Sequence, residues 1–308
     1  MSRIAILIRT HYVDERLLAF AGQFASAGTF DVYALADETR GPLDFGDLPK
    51  VSLTSSTIAD LGLYGEAPNL LWRCGDYGFY AARQALPLYD AFWMIEPDVR
   101  LTSERPCDIL ARFPDPDTAD LLAGRLRPSD ADWDWSATMG AEPGPVWRCL
   151  FAAVRLSARA IDHLLDARRR LSARHIASGA DPAAWPNDEA FVATTVARSG
   201  MALHDLNDFG QIYDEVGFSF WFPVSERELE ASGREGWIYH PVLRGQAYFL
   251  KLCRLAMRHG AVDELERIVE RMIGLEWTAE EAVAHRRAID FLRVQQEIAT
   301  APLPLAAE

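Results

Sequence analysis

Two acids close a segment whose composition is that of a core strand. Tyr89-Asp90-Ala91-Phe92-Trp93-Met94-Ile95 is apolar and β-prone, and it stops at Glu96-Pro97-Asp98. Acids with one residue between them project toward the same side of an extended strand end. Two such carboxylates can hold one Mg²⁺ or Mn²⁺, leaving positions for water and for the diphosphate of a nucleotide. An ion held there stabilises a leaving diphosphate. The plainer use of the same residues is a solvated strand end with a proline turn.

A second acid pair, Asp188-Glu189, lies in Trp185-Pro186-Asn187-Asp188-Glu189-Ala190-Phe191. Phe191, Val192, Thr195 and Val196 follow at helical spacing and Gly200 ends the pattern, which predicts a helix over 188–198. The dipole and unbonded N–H groups of a first turn hold a carboxylate ionised. Only an ionised carboxylate can accept a proton, although first-turn acids are also common for stability alone. Farther on, His240 follows a short strand-like run in Trp237-Ile238-Tyr239-His240-Pro241. A neutral imidazole suits Mn²⁺; a lone histidine is as often packed or on the surface.

The elements that must position these groups are those of an α/β fold. Ile4 to Ile8 is a continuous apolar run, the pattern of a strand covered on both faces. Leu17, Leu18, Phe20, Ala21 and Phe24 predict a helix within 14–27, stopped by Gly28, and a second strand spans 31–36. Residues 41–65 read as loop with one short strand at 51–53, and Asp76 starts a helix to Ala85. Strands are expected at 120–126, 147–156 and 201–205, with Ser157 as the N-cap of a further helix. The result is a mostly parallel central sheet flanked by helices, whose ligands bind at the C-terminal edge of the strands. The first turn, Arg9-Thr10-His11-Tyr12, lacks the glycines of a dinucleotide fingerprint.

From about Ala247 the pattern is wholly helical: Leu265, Ile268, Val269, Met272 and Ile273 share one face, and Thr278 with Glu281 makes a capping box. This C-terminal helical extension is expected to pack on the sheet or on a second subunit, a route to a homo-oligomer. The expected division is 1–246 for the main domain and 247–308 for the extension.

Composition sets the outer bounds. The 308 residues are 49% hydrophobic and 25% charged, an ordinary globular mixture, with a formal net charge of −14. That field repels a nucleic-acid polymer, while local arginines can still attract a small anion. Cys74, Cys107, Cys149 and Cys253 are scattered and form no zinc pattern. The N-terminal apolar run is too short for a signal peptide, and no window approaches the ~20 apolar residues of a membrane span. A cytoplasmic protein is expected.

With these residues in view, Phe92-Trp93-Met94-Ile95-Glu96-Pro97-Asp98 resembles the DxD strand end of GT-A glycosyltransferases, with Glu in place of the first Asp. The segment around Asp188 and Glu189 is similar to the acidic helix start of inverting GT-A enzymes, including the core-2 branching N-acetylglucosaminyltransferases. The resemblance covers about Arg3 to Val242 in the order of elements, and its two acidic motifs are its specific part. It implies a GT-A-like fold, a sugar-nucleotide donor, a carbohydrate or other hydroxyl acceptor, and Mn²⁺ or Mg²⁺ on Glu96 and Asp98. Glu189 or Asp188 would deprotonate the acceptor, and His240 would complete the metal shell. Arg9 and Thr10 after the first strand, with Asp37 after the second, stand where GT-A domains contact the nucleoside. Asp76 joins that group, although its simpler role is to cap a helix. Trp133, Trp135 and Trp221 offer faces for sugar rings or for packing.

The function expected is therefore transfer of a sugar from a nucleotide diphosphate to a hydroxyl, metal-assisted and inverting. Two alternatives stand beside it: a GT-A-like binding protein without turnover, and a metal-dependent phosphoesterase.

Overall fold

The apolar run after the N-terminus forms β1 (Ile4–Thr10) in a computed structural model that describes residues 2–26, 28–130, 132–140 and 144–300, with side chains to 296. Ala27, at the end of the first expected helix, and residues 301–308 of the expected extension lie outside the described residues. The chain divides into two compact units, Met1–Ile212 and Tyr213–Glu308.

In the first unit Asp14 accepts the Leu17 N–H and caps α1 (Glu15–Ala25), which buries Leu17, Phe20, Ala21 and Phe24. There follow β2 (Asp31–Asp37), β3 (Lys50–Leu53), α2 (Ser55–Asp60), α3 (Leu70–Arg73), α4 (Asp76–Ala85), β4 (Ala91–Ile95) and β5 (Arg100–Leu101). Next come α5 (Pro106–Leu110), β6 (Leu121–Pro128), β7 (Trp147–Ser157), α6 (Ala158–Ser178), α7 (Asp188–Ser199) and β8 (Leu203–Asp205). Within the stretch expected to be loop, α2 exists because Thr54 and Thr57 form a reciprocal capping box and Ile58 is buried. Ser157 caps α6 through the Ala160 N–H, as expected.

The sheet order is β3-β2-β1-β4-β7-β6-β8. Only β7 runs against its neighbours; the other strands are parallel, so the α/β class and the mostly parallel sheet expected from the sequence are present. Side chains of β1 alternate between the faces. Ala5 and Leu7 join the core under α4, α6 and α7, and the equally buried Ile6 and Ile8 face the other side, where α1 packs on β2 and α5. The C-terminal ends of β1, β2 and β4 therefore open on one edge, where Arg9, Asp37 and Glu96 stand.

The second unit holds β9 (Val224–Ser225), α8 (Glu226–Ser232), β10 (Ile238–Tyr239), β11 (Val242–Leu243), α9 (Gly245–His259), α10 (Val262–Arg271) and α11 (Ala279–Thr300). The three long helices close around Phe249, Leu252, Leu265, Val269, Met272 and Trp277. The capping box at Thr278 and Glu281 is formed. All four cysteines are free thiols, three of them buried. No helix among the described residues is long and apolar enough to cross a membrane.

Candidate functional site

Three elements distant in sequence bring Arg9, Glu96 and Asp188 together. Arg9 leaves the end of β1, and its Nη1 donates to Glu96 Oε1 at 3.0 Å, just past the end of β4. The same nitrogen stands 4.0 Å from Asp188 Oδ2 in the first turn of α7. Its other nitrogen donates to the carbonyls of Leu71 and Trp72, which fixes the guanidinium plane. Asp188 is 3% exposed, and its oxygens accept the N–H groups of Gly75 and Glu189, both at 2.8 Å. Burial pushes the Asp188 carboxyl well above its usual range; the Arg9 charge and the Gly75 N–H oppose that shift, and the charges of Glu189 and Asp76 reinforce it.

The helix start is held from below by two buried arginines. Arg168 of α6 forms a two-pronged ion pair with Asp76, at 2.7 and 3.1 Å, and donates to the Pro186 carbonyl at 3.0 Å. Both partners of that pair are fully buried, and the guanidinium lies 3.7 Å from the Phe191 ring centre. Arg73 donates to the carbonyls of Ala183 and Trp185. The backbone entering α7 is thus tied at Ala183, Trp185 and Pro186, and Asn187 caps the helix on the Ala190 N–H. Asp76 therefore sits beneath the site with its carboxylate occupied by Arg168 and by the Tyr80 hydroxyl. It acts on a ligand only through α7.

Glu96 and Asp98 are half-buried, with a carboxylate oxygen of each within 4.8 Å of the other. The turn between them is fixed by Val99 N–H to the Glu96 carbonyl and by Arg100 to the Pro97 carbonyl. This all-oxygen pair fits a hard divalent ion, and one Glu96 oxygen already accepts from Arg9. Thr10 is buried, its hydroxyl closing a turn on the Tyr12 backbone. Asp37 accepts from the Thr39 N–H and hydroxyl at the exposed end of β2. Glu189 is half-buried, and its carbonyl accepts the Cys149 thiol. In the second unit His240 is 5% exposed, and its Nδ1 lies 2.8 Å from the Ser219 carbonyl. A carbonyl accepts only, so Nδ1 carries a proton, and a metal could be ligated by this ring only through Nε2.

Aromatic surface borders the first-unit group. Trp72 is 53% exposed, its ring 6.3 Å from that of Trp135, and Arg73 lies over the latter at 4.9 Å. Trp133 lies under Arg148. Trp221, in the second unit, is 37% exposed with Arg258 over its face.

No family model and no curated protein matches the sequence. Among solved structures the chain is similar to the galactosyltransferase LgtC in complex with donor and acceptor sugar analogues, at 11% identity and a TM-score of 0.40, over 75% of this chain and 78% of that one. An active-site mutant of LgtC matches with the same figures.

Sequence reasoning alone does not find Gly75, Arg73, Arg168 or Trp72. At Gly75 a Cβ would stand 2.7 Å from Asp188 Oδ2 and nearer still to Arg9 Nη1, so only glycine lets the three groups meet. In the sequence this glycine is just the residue before a helix. The arginines carry no motif, because Arg73 meets backbone carbonyls more than a hundred positions away and Arg168 meets a carbonyl 18 positions on and an acid on another helix.

Proposed function

We propose that the chain transfers a sugar from a nucleotide diphosphate to a hydroxyl group of an acceptor, with residues 1–246 as the transferase part and 247–308 as a helical extension. The observation that carries the reading is the meeting of Arg9, Glu96 and Asp188 at the C-terminal strand edge, with Asp98 beside Glu96. One cation and three carboxylates at that edge suit a substrate that brings a diphosphate and a hydroxyl proton.

Glu96 and Asp98 would hold Mn²⁺ or Mg²⁺, which when bound offsets charge on the departing diphosphate. Arg9 contacts that diphosphate, and Thr10 and Asp37 face the nucleoside. Glu189 accepts the proton of the acceptor hydroxyl. The freed oxygen bonds to the anomeric carbon as its bond to the diphosphate breaks on the opposite face, which inverts the centre. Asp188 is assigned to positioning, since its oxygens are committed to Gly75, Glu189 and Arg9. Trp72 and Trp135 offer stacking faces.

The test is calorimetric titration of nucleoside diphosphates with Mn²⁺ and with EDTA, followed by assay of sugar transfer from the matching nucleotide sugar. Asp98→Ala is expected to remove the Mn²⁺-dependent part of the affinity and keep the fold; unchanged affinity would take Asp98 out of the site. A second reading, nucleotide binding without turnover, is favoured by the Arg9–Glu96 ion pair, which already uses one oxygen of the metal pair. Binding indifferent to EDTA, with no sugar released, identifies it.

A further inference from the structure

Helix α11 buries Ala282, His285 and Ile289 against its own unit, and Leu292 packs on the same cluster. Its opposite side is not the polar face of an ordinary surface helix. Val283, Phe291 and Val294 stand exposed there, Phe291 at 63%. Along that side Val283, Arg287, Asp290 and Val294 recur in steps of four, three and four residues, and all four are exposed. Such a stripe runs nearly along the helix axis and is the seam on which two helices pack at a shallow angle.

The charges on the stripe differ from those around it. Arg286 pairs with Glu270, and Arg293 with Asp263, Glu266 and Asp290, all within the unit. Arg287, the third arginine of α11, finds no acid among the described residues. Asp290 gives one oxygen to Arg293 at 3.1 Å and keeps a side chain that is 71% exposed. The placement is self-complementary: Val283 and Val294 stand equally far from the midpoint between Ala288 and Ile289, and so do Arg287 and Asp290. A second copy laid antiparallel about that midpoint brings Val283 onto Val294 and Arg287 onto Asp290, each contact twice, as a two-fold interface requires. A parallel copy would set Arg287 against Arg287. Polar groups within an apolar seam fix its register and direction.

We propose that the outer face of α11 is the interface of an antiparallel homodimer, with Val283, Phe291 and Val294 as its apolar contacts and two Arg287–Asp290 ion pairs across it. One helix face is small against the ~800 Å² per partner of a standard interface, so the dimer forms in the micromolar range. Phe291, beside the seam, adds the largest apolar side chain of the contact. The ion pairs select a second copy over an unrelated apolar partner.

The experiment is sedimentation equilibrium of the full chain from about 1 to 100 µM in about 0.15 M salt, where the repulsion between two chains of net charge −14 is screened beyond ~8 Å. The wild type is expected to pass from monomer to dimer within that range. Arg287→Asp and Asp290→Arg each turn two attractions into two repulsions, and each should raise the dissociation constant about tenfold or more. The double reversal Arg287→Asp, Asp290→Arg should return it to near the wild-type value, a rescue that a parallel contact does not give. Phe291→Ser should also weaken the dimer. Circular dichroism should show every variant as helical as the wild type, since all three side chains are exposed. A wild type that stays monomeric to the top of the range leaves this face to a different partner and overturns the proposal. So does a dimer that the single reversals leave equally tight, or a double reversal that associates no better than the single ones.

Discussion

Asp188 and Glu189 are neighbours in sequence with different surroundings, and the difference assigns their roles. Glu189 is half-buried, whereas Asp188 is 3% exposed with both oxygens engaged. General-base catalysis typically contributes about 10²–10⁴-fold. Glu189→Gln is therefore expected to lower kcat by roughly that factor with donor affinity retained, measured by steady-state kinetics with the cognate donor beside Asp188→Asn. A near-normal rate in Glu189→Gln would return it to the status of an ordinary first-turn acid, worth only ~0.3–1 kcal/mol of stability. Asp188 gives a second outcome, read from stability. Its carboxyl is raised by burial in the folded state, so the folded chain binds that proton more tightly than the unfolded one. Stability from this group is then largest below the ordinary carboxylate pKa of about 4 and is lost as pH rises toward the raised value. Asp188→Asn removes that loss. It should melt above wild type at pH 7, and the two curves should converge near pH 4; equal melting at both pH values would show that Arg9 fully compensates the buried charge.

At the scale of elements, the helix start that carries these acids depends on Asp76 and Arg168. Removing one partner of a buried ion pair leaves the other uncompensated, at a cost of about 3–5 kcal/mol, so Asp76→Ala should lower the free energy of unfolding by about that amount in urea titration. The double change Asp76→Leu, Arg168→Met should recover much of it, yet lose nucleotide affinity, because the tie to the Pro186 carbonyl goes with the guanidinium. Full affinity in the double variant would show that α7 keeps its place without Arg168. This network also marks the limit of what the chain discloses unfolded. The apolar run of β1, the Asp14 and Ser157 caps, the helix of Asp76 to Ala85 and the box at Thr278 are local patterns, and each is legible because neighbours in sequence create it. The meeting of Arg9 with Glu96 follows from two strand ends on one edge. Asp76 misleads, since a helix-opening acid looks the same whether its partner is a ligand or an arginine 92 positions away. Leu265, Val269 and Met272 were legible as one face; what they face is their own unit's helices, so a second subunit is not needed to cover them.

For the molecule as a whole, the net charge of −14 and the local arginines act over different distances. An approaching diphosphate meets the overall negative field first. At about 0.01 M salt the Debye length is ~30 Å and that repulsion reaches far into solution; at about 0.15 M it is ~8 Å and the field beyond the surface is largely gone. The attraction of Arg9 acts at contact, from a side chain only 17% exposed, where screening is weaker. Salt in this range should thus remove more repulsion than attraction. The association rate of a nucleoside diphosphate, followed by stopped-flow fluorescence of the tryptophans, is expected to rise between those two salt concentrations, while the dissociation rate changes little. A nucleic-acid-binding protein behaves in the opposite way, with affinity falling steeply as salt displaces its phosphate contacts. An association rate that falls across the same range would mean that the arginines of the site, not the net charge, govern the field a ligand meets on approach.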